Sequence, residues 1–70
     1  MKIDHLIVMA NQIGDFFESY PDQDYAQQEI ATHLRKFWAP VMRELIKDLV
    51  ESKKSNDLHR NVAEAIRKYL

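Results

Sequence analysis

His33-Leu34-Arg35-Lys36-Phe37-Trp38-Ala39-Pro40-Val41-Met42-Arg43 decides the architecture, because one apolar helical stripe runs into it, another leaves it, and a proline stands between them. Pro40 disfavours a helical conformation at Ala39, so the spacing predicts a sharp bend there, with Pro40 opening a new helix in its first turn, where a missing amide hydrogen is harmless. The same stretch holds the only Trp, an adjoining Phe and several basic side chains. Two aromatics at consecutive helical positions cannot both point straight into one small core, and a Trp beside Arg is the composition of a protein interface anchor. The joint between the two helices is therefore expected to be a recognition surface. Its candidate residues are Phe37, Trp38, Met42, Arg43, Arg35 and His33, and the sequence leaves open whether Trp38 is the centre of the fold or of the interface.

Toward the amino terminus of this joint, Ala26, Ile30, Leu34 and Phe37 form the stripe of a helix expected over Gln23 to Trp38, with Tyr25, Ala31 and Trp38 at its margins. Before it, Pro21-Asp22-Gln23-Asp24 reads as a turn in which Asp22 is the expected helix cap. A first helix is predicted from Ile3 to Tyr20, since Ile3, Leu6, Ile7, Ala10, Ile13, Phe17 and Tyr20 recur at spacings of three and four and Pro21 stops it. Met9 and Phe16 widen that face. Gly14 lies inside the stripe, where it costs about 1 kcal/mol relative to Ala unless another helix must approach closely. Asn11-Gln12 is a polar pair that either faces water or hydrogen-bonds across a helix or subunit boundary, which makes both interface candidates.

Beyond the joint, Val41, Met42, Leu45, Ile46, Leu49 and Val50 give the Pro40 helix its stripe. Lys53-Lys54-Ser55-Asn56-Asp57 is a polar break, with Ser55, Asn56 or Asp57 as cap of a last helix carrying Leu58, Val62, Ala65, Ile66 and Tyr69. The expected fold is all-α, a compact bundle or orthogonal array of four short amphipathic helices in one domain spanning residues 1–70.

With 70 residues the chain buries only about 60% of its unfolded surface, so its stability is marginal without support. The 46% apolar content exceeds what one small domain readily hides, which points to a partner or a second copy. Absence of Cys removes disulfides, thiolate metal sites and cysteine nucleophiles, and suits a reducing cytosol. No apolar run is long enough to span a bilayer, and Asp4 and His5 stand where a signal peptide would be apolar. A cytoplasmic protein without membrane attachment is expected.

The net charge of -1 hides an asymmetry: residues 1–34 carry one Lys against six acids, and residues 35–70 carry nine Lys and Arg against five acids. This either orients a partner or simply coats solvated helix faces. Arg35, Lys36, Arg43 and Lys47 are interrupted by Glu44, Asp48 and Glu51, and a net charge near zero argues against nucleic acid. His5, His33 and His59 fall on different helices without metal-ligand spacing, Asp22 and Asp24 lack a calcium-loop pattern, and one Gly cannot make a phosphate loop. No catalytic residue, cofactor or metal is assigned.

Met9-Ala10-Asn11-Gln12-Ile13-Gly14-Asp15-Phe16-Phe17, then Tyr20-Pro21-Asp22, then the His33 to Arg43 joint resemble, in that order and at similar separations, the delta subunit family of the bacterial soluble NAD-dependent, molybdenum-containing formate dehydrogenases. The resemblance covers roughly residues 5–50, and departs from the family pattern at Ala39, where an acid is usual, and Val41, where Arg is common. It implies partners: a catalytic subunit that oxidises formate at a molybdenum or tungsten cofactor, and electron-transfer subunits carrying flavin and iron-sulfur centres. It implies for this chain a non-catalytic accessory role in assembly, cofactor loading or stability of the complex, and a chain without Cys or phosphate loop fits that role. The alternatives are a helical homodimer serving as adaptor for an unrelated partner and, third, a metal-binding enzyme. A homodimer in isolation is compatible with the first two.

Overall fold

The computed structural model describes residues 2–52 and 57–70, and these form four helices: α1 (Ile3–Phe17), α2 (Gln23–Phe37), α3 (Pro40–Glu51) and α4 (Arg60–Tyr69). All four feed one buried cluster. α1 gives Leu6 and Ala10, α2 gives Ile30, Ala31 and Leu34, α3 gives Ile46, and α4 gives Val62, Ala65 and Ile66, with Trp38 and Leu58 joining from the connections. The molecule measures 32 × 24 × 19 Å, and its most extensive helix pairing is α2 on α4. No helix among the described residues is long and apolar enough to cross a membrane.

The helix boundaries follow from local chemistry. α1 stops at Phe17, three residues before the expected Tyr20, because the chain tightens through bonds from Glu18 N–H to Asp15 O and from Tyr20 N–H to Phe17 O ahead of Pro21. That turn sets Tyr20 edge-on to Phe17 at 5.2 Å and stacked on Tyr25 at 5.7 Å. Asp22 caps α2 as expected, accepting from the Tyr25 amide at 3.1 Å.

α2 ends at Phe37, one residue early, and this decides which aromatic enters the core. Trp38 is extended (φ -93°, ψ 140°), as is Ala39 before the proline (φ -65°, ψ 153°), and α3 starts at Pro40. The break carries Trp38 off the helical screw and into the core, where it is 5% exposed. Phe37, expected in the buried stripe, is instead 71% exposed. In α3, Val41 and Leu45 were likewise expected in the stripe but are exposed, because Met42, Ile46 and Leu49 occupy the face turned to the other helices.

The start of α4 also departs from expectation. Ser55 and Asn56 lie outside the described residues, and Asp57 sits in a turn before the helix. The cap is His59, whose Nδ1 accepts from the Asn61 amide at 3.2 Å. Gly14 explains itself here: a Cβ at this position would stand 2.6 Å from Val62 Cγ2 and 3.0 Å from His59 Cγ. The glycine lets α1 and the start of α4 meet without a side chain between them.

Candidate functional site

α1 places Met9, Gln12, Ile13, Phe16 and Phe17 along one side, a spacing that brings residues three, four and seven apart onto neighbouring faces. α2 places His33 and Phe37 one turn apart on the facing side, their rings 4.7 Å apart and tilted by 40°. Trp38 and Met42 complete a groove of about 760 Å³ at the joint. Phe16 packs edge-on against Phe17 at 4.9 Å yet remains 72% exposed, so Phe16 and Phe37 rise from opposite helices as two solvated aromatic walls.

No Asp, Glu, Lys or Arg is among these nine residues, whose polar side-chain groups are the Gln12 amide, the His33 imidazole and the Trp38 indole N–H. Such a surface has little to offer a charged substrate and much to gain from covering apolar area. Two methionines add side chains that adjust to irregular apolar shapes. What these residues offer a ligand is mainly apolar and aromatic contact, with a few hydrogen-bonding groups to fix its orientation.

Of the eight residues expected at an interface, Phe37, Trp38, Met42, His33 and Gln12 line this groove. Trp38 contributes mainly to the core and shows only its margin to the groove. Arg43, Arg35 and Asn11 are engaged within the chain. Arg43 Nη1 donates to the carbonyls of Trp38 (2.5 Å) and Arg35 (3.3 Å), a cation set on the carboxyl end of α2. Arg35 Nη1 donates to the Tyr69 carbonyl at 2.5 Å and so pins the end of α4 to α2. Asn11 takes its interhelical option, with Nδ2 donating to Asp57 O at 2.8 Å and Oδ1 accepting from His59 N–H at 2.7 Å.

Met9, Ile13, Phe16 and Phe17 were not among the candidate interface residues. Their signal was the widening of the first helix's apolar face by Met9 and Phe16 beyond what a small core can cover.

A polar seam joins α2 to α4 away from the groove. Gln27 and Asn61, both buried, share a bond of 3.0 Å from Gln27 Nε2 to Asn61 Oδ1, and Asn61 Nδ2 donates to Gln23 Oε1 at 2.5 Å. Lys68 Nζ donates to Gln27 Oε1 at 3.0 Å, and the Tyr69 hydroxyl donates to Asp24 Oδ1 at 2.6 Å. The Tyr69 hydroxyl holds the Asp24 carboxyl below its ordinary range, helped by Gln28, while the same carboxylate pushes the Tyr69 phenol up.

Asp15, Glu18 and His59 bring three ligand-type atoms within 4.8 Å of one another. The His59 geometry does not suit a metal. An ion on Nε2 requires a hydrogen on Nδ1, and that hydrogen would face the Asn61 N–H that Nδ1 now accepts. Nδ1 is taken up by the cap of α4, and Nε2 lies 3.9 Å from Asp15 Oδ1 and 3.7 Å from Glu18 Oε1.

No curated protein and no solved structure matches the chain. A family model matches over most of α1, all of α2 and α3, and α4 through Ile66: residues 5–66 fit the model of the NADH-dependant formate dehydrogenase delta subunit FdsD, and the chain belongs to that family.

Proposed function

We propose that the chain is a non-catalytic accessory subunit that docks through the α1–α2–α3 groove onto the catalytic and electron-transfer subunits of a cytoplasmic formate dehydrogenase. The observation that carries this reading is the pair of aromatic rings, Phe16 and Phe37, exposed on facing walls of a groove lined without Asp, Glu, Lys or Arg. Membership of the delta-subunit family supplies the partner, and the lack of Cys and of a phosphate loop supports a role without iron-sulfur or nucleotide chemistry. Mechanistically, covering the groove favours the partner conformation that fits it, so docking shifts the partner's equilibrium toward the assembled, competent state. Assembly, cofactor loading and stability of the complex are all outcomes of that one linkage.

The test replaces Phe37 by Ser and measures association with the purified partner subunits. Truncating an interface anchor weakens docking by about 2 kcal/mol or more, which is near a thirtyfold rise in Kd. Unchanged affinity in a variant that keeps its helical circular dichroism would remove the groove from the docking surface. Recovery of the native chain solely as a homodimer, with the dehydrogenase subunits expressed alongside, would favour the adaptor reading instead.

A further inference from the structure

His59 is held in place from three directions. Its backbone N–H donates to Asn11 Oδ1 at 2.7 Å, its ring lies against the Gly14 backbone, and its Nδ1 accepts from the Asn61 N–H at 3.2 Å. Nε2 points the other way, 3.9 Å from Asp15 Oδ1 and 3.7 Å from Glu18 Oε1. An imidazole nitrogen that accepts a hydrogen bond carries no hydrogen, so the neutral ring must have its hydrogen on Nε2, the nitrogen turned toward the two carboxylates.

We infer that His59 is a proton-sensitive catch between α1 and α4: neutral, it caps α4 through Nδ1; protonated, it surrenders the cap while its charge is drawn to Asp15 and Glu18. The imidazolium has hydrogens on both nitrogens, and an Nδ1–H facing the Asn61 N–H sets donor against donor. Proton uptake thus removes the side-chain acceptor that His59 supplies to the first turn of α4 and strengthens the attraction across to α1. Asp15 of α1 and Glu18 in the turn that follows it are the charged groups that face the ring, and Asp57 and Arg60 are the charged neighbours on its own segment. No ion pair joins the ring to α2 or α3 among the described residues.

The catch is local by construction. Asn11 continues to hold the backbone of the segment in either charge state, since its partners are the Asp57 carbonyl and the His59 amide, neither of which titrates. What changes is the seating of the first turn of α4, where Asn61 also supplies the buried bond to Gln27.

The test uses the full chain labelled with nitrogen-15. Long-range proton-nitrogen spectra of the neutral ring, recorded at about pH 8, should show the hydrogen on Nε2, and an acid titration followed until the ring is charged should add one on Nδ1. Over that range the Asn61 amide should lose about fivefold in hydrogen-exchange protection, after correction for its intrinsic rate, relative to amides deeper in α4. His59→Asn keeps a side-chain acceptor that does not titrate, so its Asn61 protection should stay level. A hydrogen on Nδ1 at about pH 8 would overturn the inference, as would Asn61 protection in the native chain that is indifferent to pH. The tautomer of the unaltered protein decides the matter even if the variant fails to fold.

Discussion

Gly14 separates α1 from the start of α4 by less than a methyl group allows. Within an isolated helix, Gly14→Ala would gain about 1 kcal/mol. Here the new Cβ would lie 2.6 Å from Val62 Cγ2 and meet the His59 ring as well, and both neighbours belong to a segment tied down by Asn11. Overpacking of this kind costs about 1–3 kcal/mol, so Gly14→Ala should lower the urea midpoint at unchanged slope, against its helix propensity. The neighbouring pair Phe37 and Trp38 separates in the same experiment. Trp38→Ala removes a buried aromatic and should destabilise by about 3–5 kcal/mol, whereas Phe37→Ser alters an exposed side chain and should stay within about 0.5 kcal/mol. Sequence showed that the two rings must part company, because consecutive helical positions diverge. It could not show which one turns inward, since that depends on whether the last helical residue is Phe37 or Trp38, a difference of one residue in the reach of the Pro40 restriction.

At the scale of elements, the α2–α4 pairing combines apolar packing with the Gln27–Asn61 bond. Asn61→Ala would leave Gln27 Nε2 without its buried acceptor, at a cost of about 1–3 kcal/mol measurable by chemical denaturation. The Asp24–Tyr69 bond beside it gives a pH signature at both ends of the scale. The folded Asp24 carboxyl is held below its unfolded value, so its contribution is complete above the unfolded carboxylate range and is lost as acid drives pH through the lower folded value. The folded Tyr69 phenol is raised, so its contribution is complete below the unfolded phenol range and is lost as pH climbs through the higher folded value. Tyr69→Phe should therefore flatten both limbs of a plot of Tm against pH and leave the neutral region least changed in slope. The helices themselves were legible, because Asp22, Pro21 and Pro40 act on the backbone beside them. The seam was not, because Gln23 and Gln27 read as an ordinary polar face until the tertiary fold sets Asn61 against them. The His59 cap escaped for a related reason: His caps through a ring nitrogen, and the usual signal is Ser, Thr, Asp or Asn.

For the molecule as a whole, core and groove compete for the same apolar residues. α1 divides its stripe, sending Leu6 and Ala10 inward and leaving Met9 and Phe16 on the groove, and α2 does likewise with Leu34 and Phe37. A 70-residue fold that leaves such side chains uncovered has modest stability of its own and a reserve that a bound partner can realise. Binding to the folded state alone stabilises it by about 2.7 kcal/mol when free partner is at a hundred times Kd. Addition of the partner subunits should accordingly raise the Tm of the chain by several degrees in a concentration-dependent way. Phe37→Ser should begin from nearly the native Tm and show a much smaller rise at the same partner concentration, since it removes a groove wall without touching the core. Equal rises for the two proteins would place the docking surface elsewhere on the fold. A lowered starting Tm for Phe37→Ser would mean that this ring supports the core more than its exposure implies.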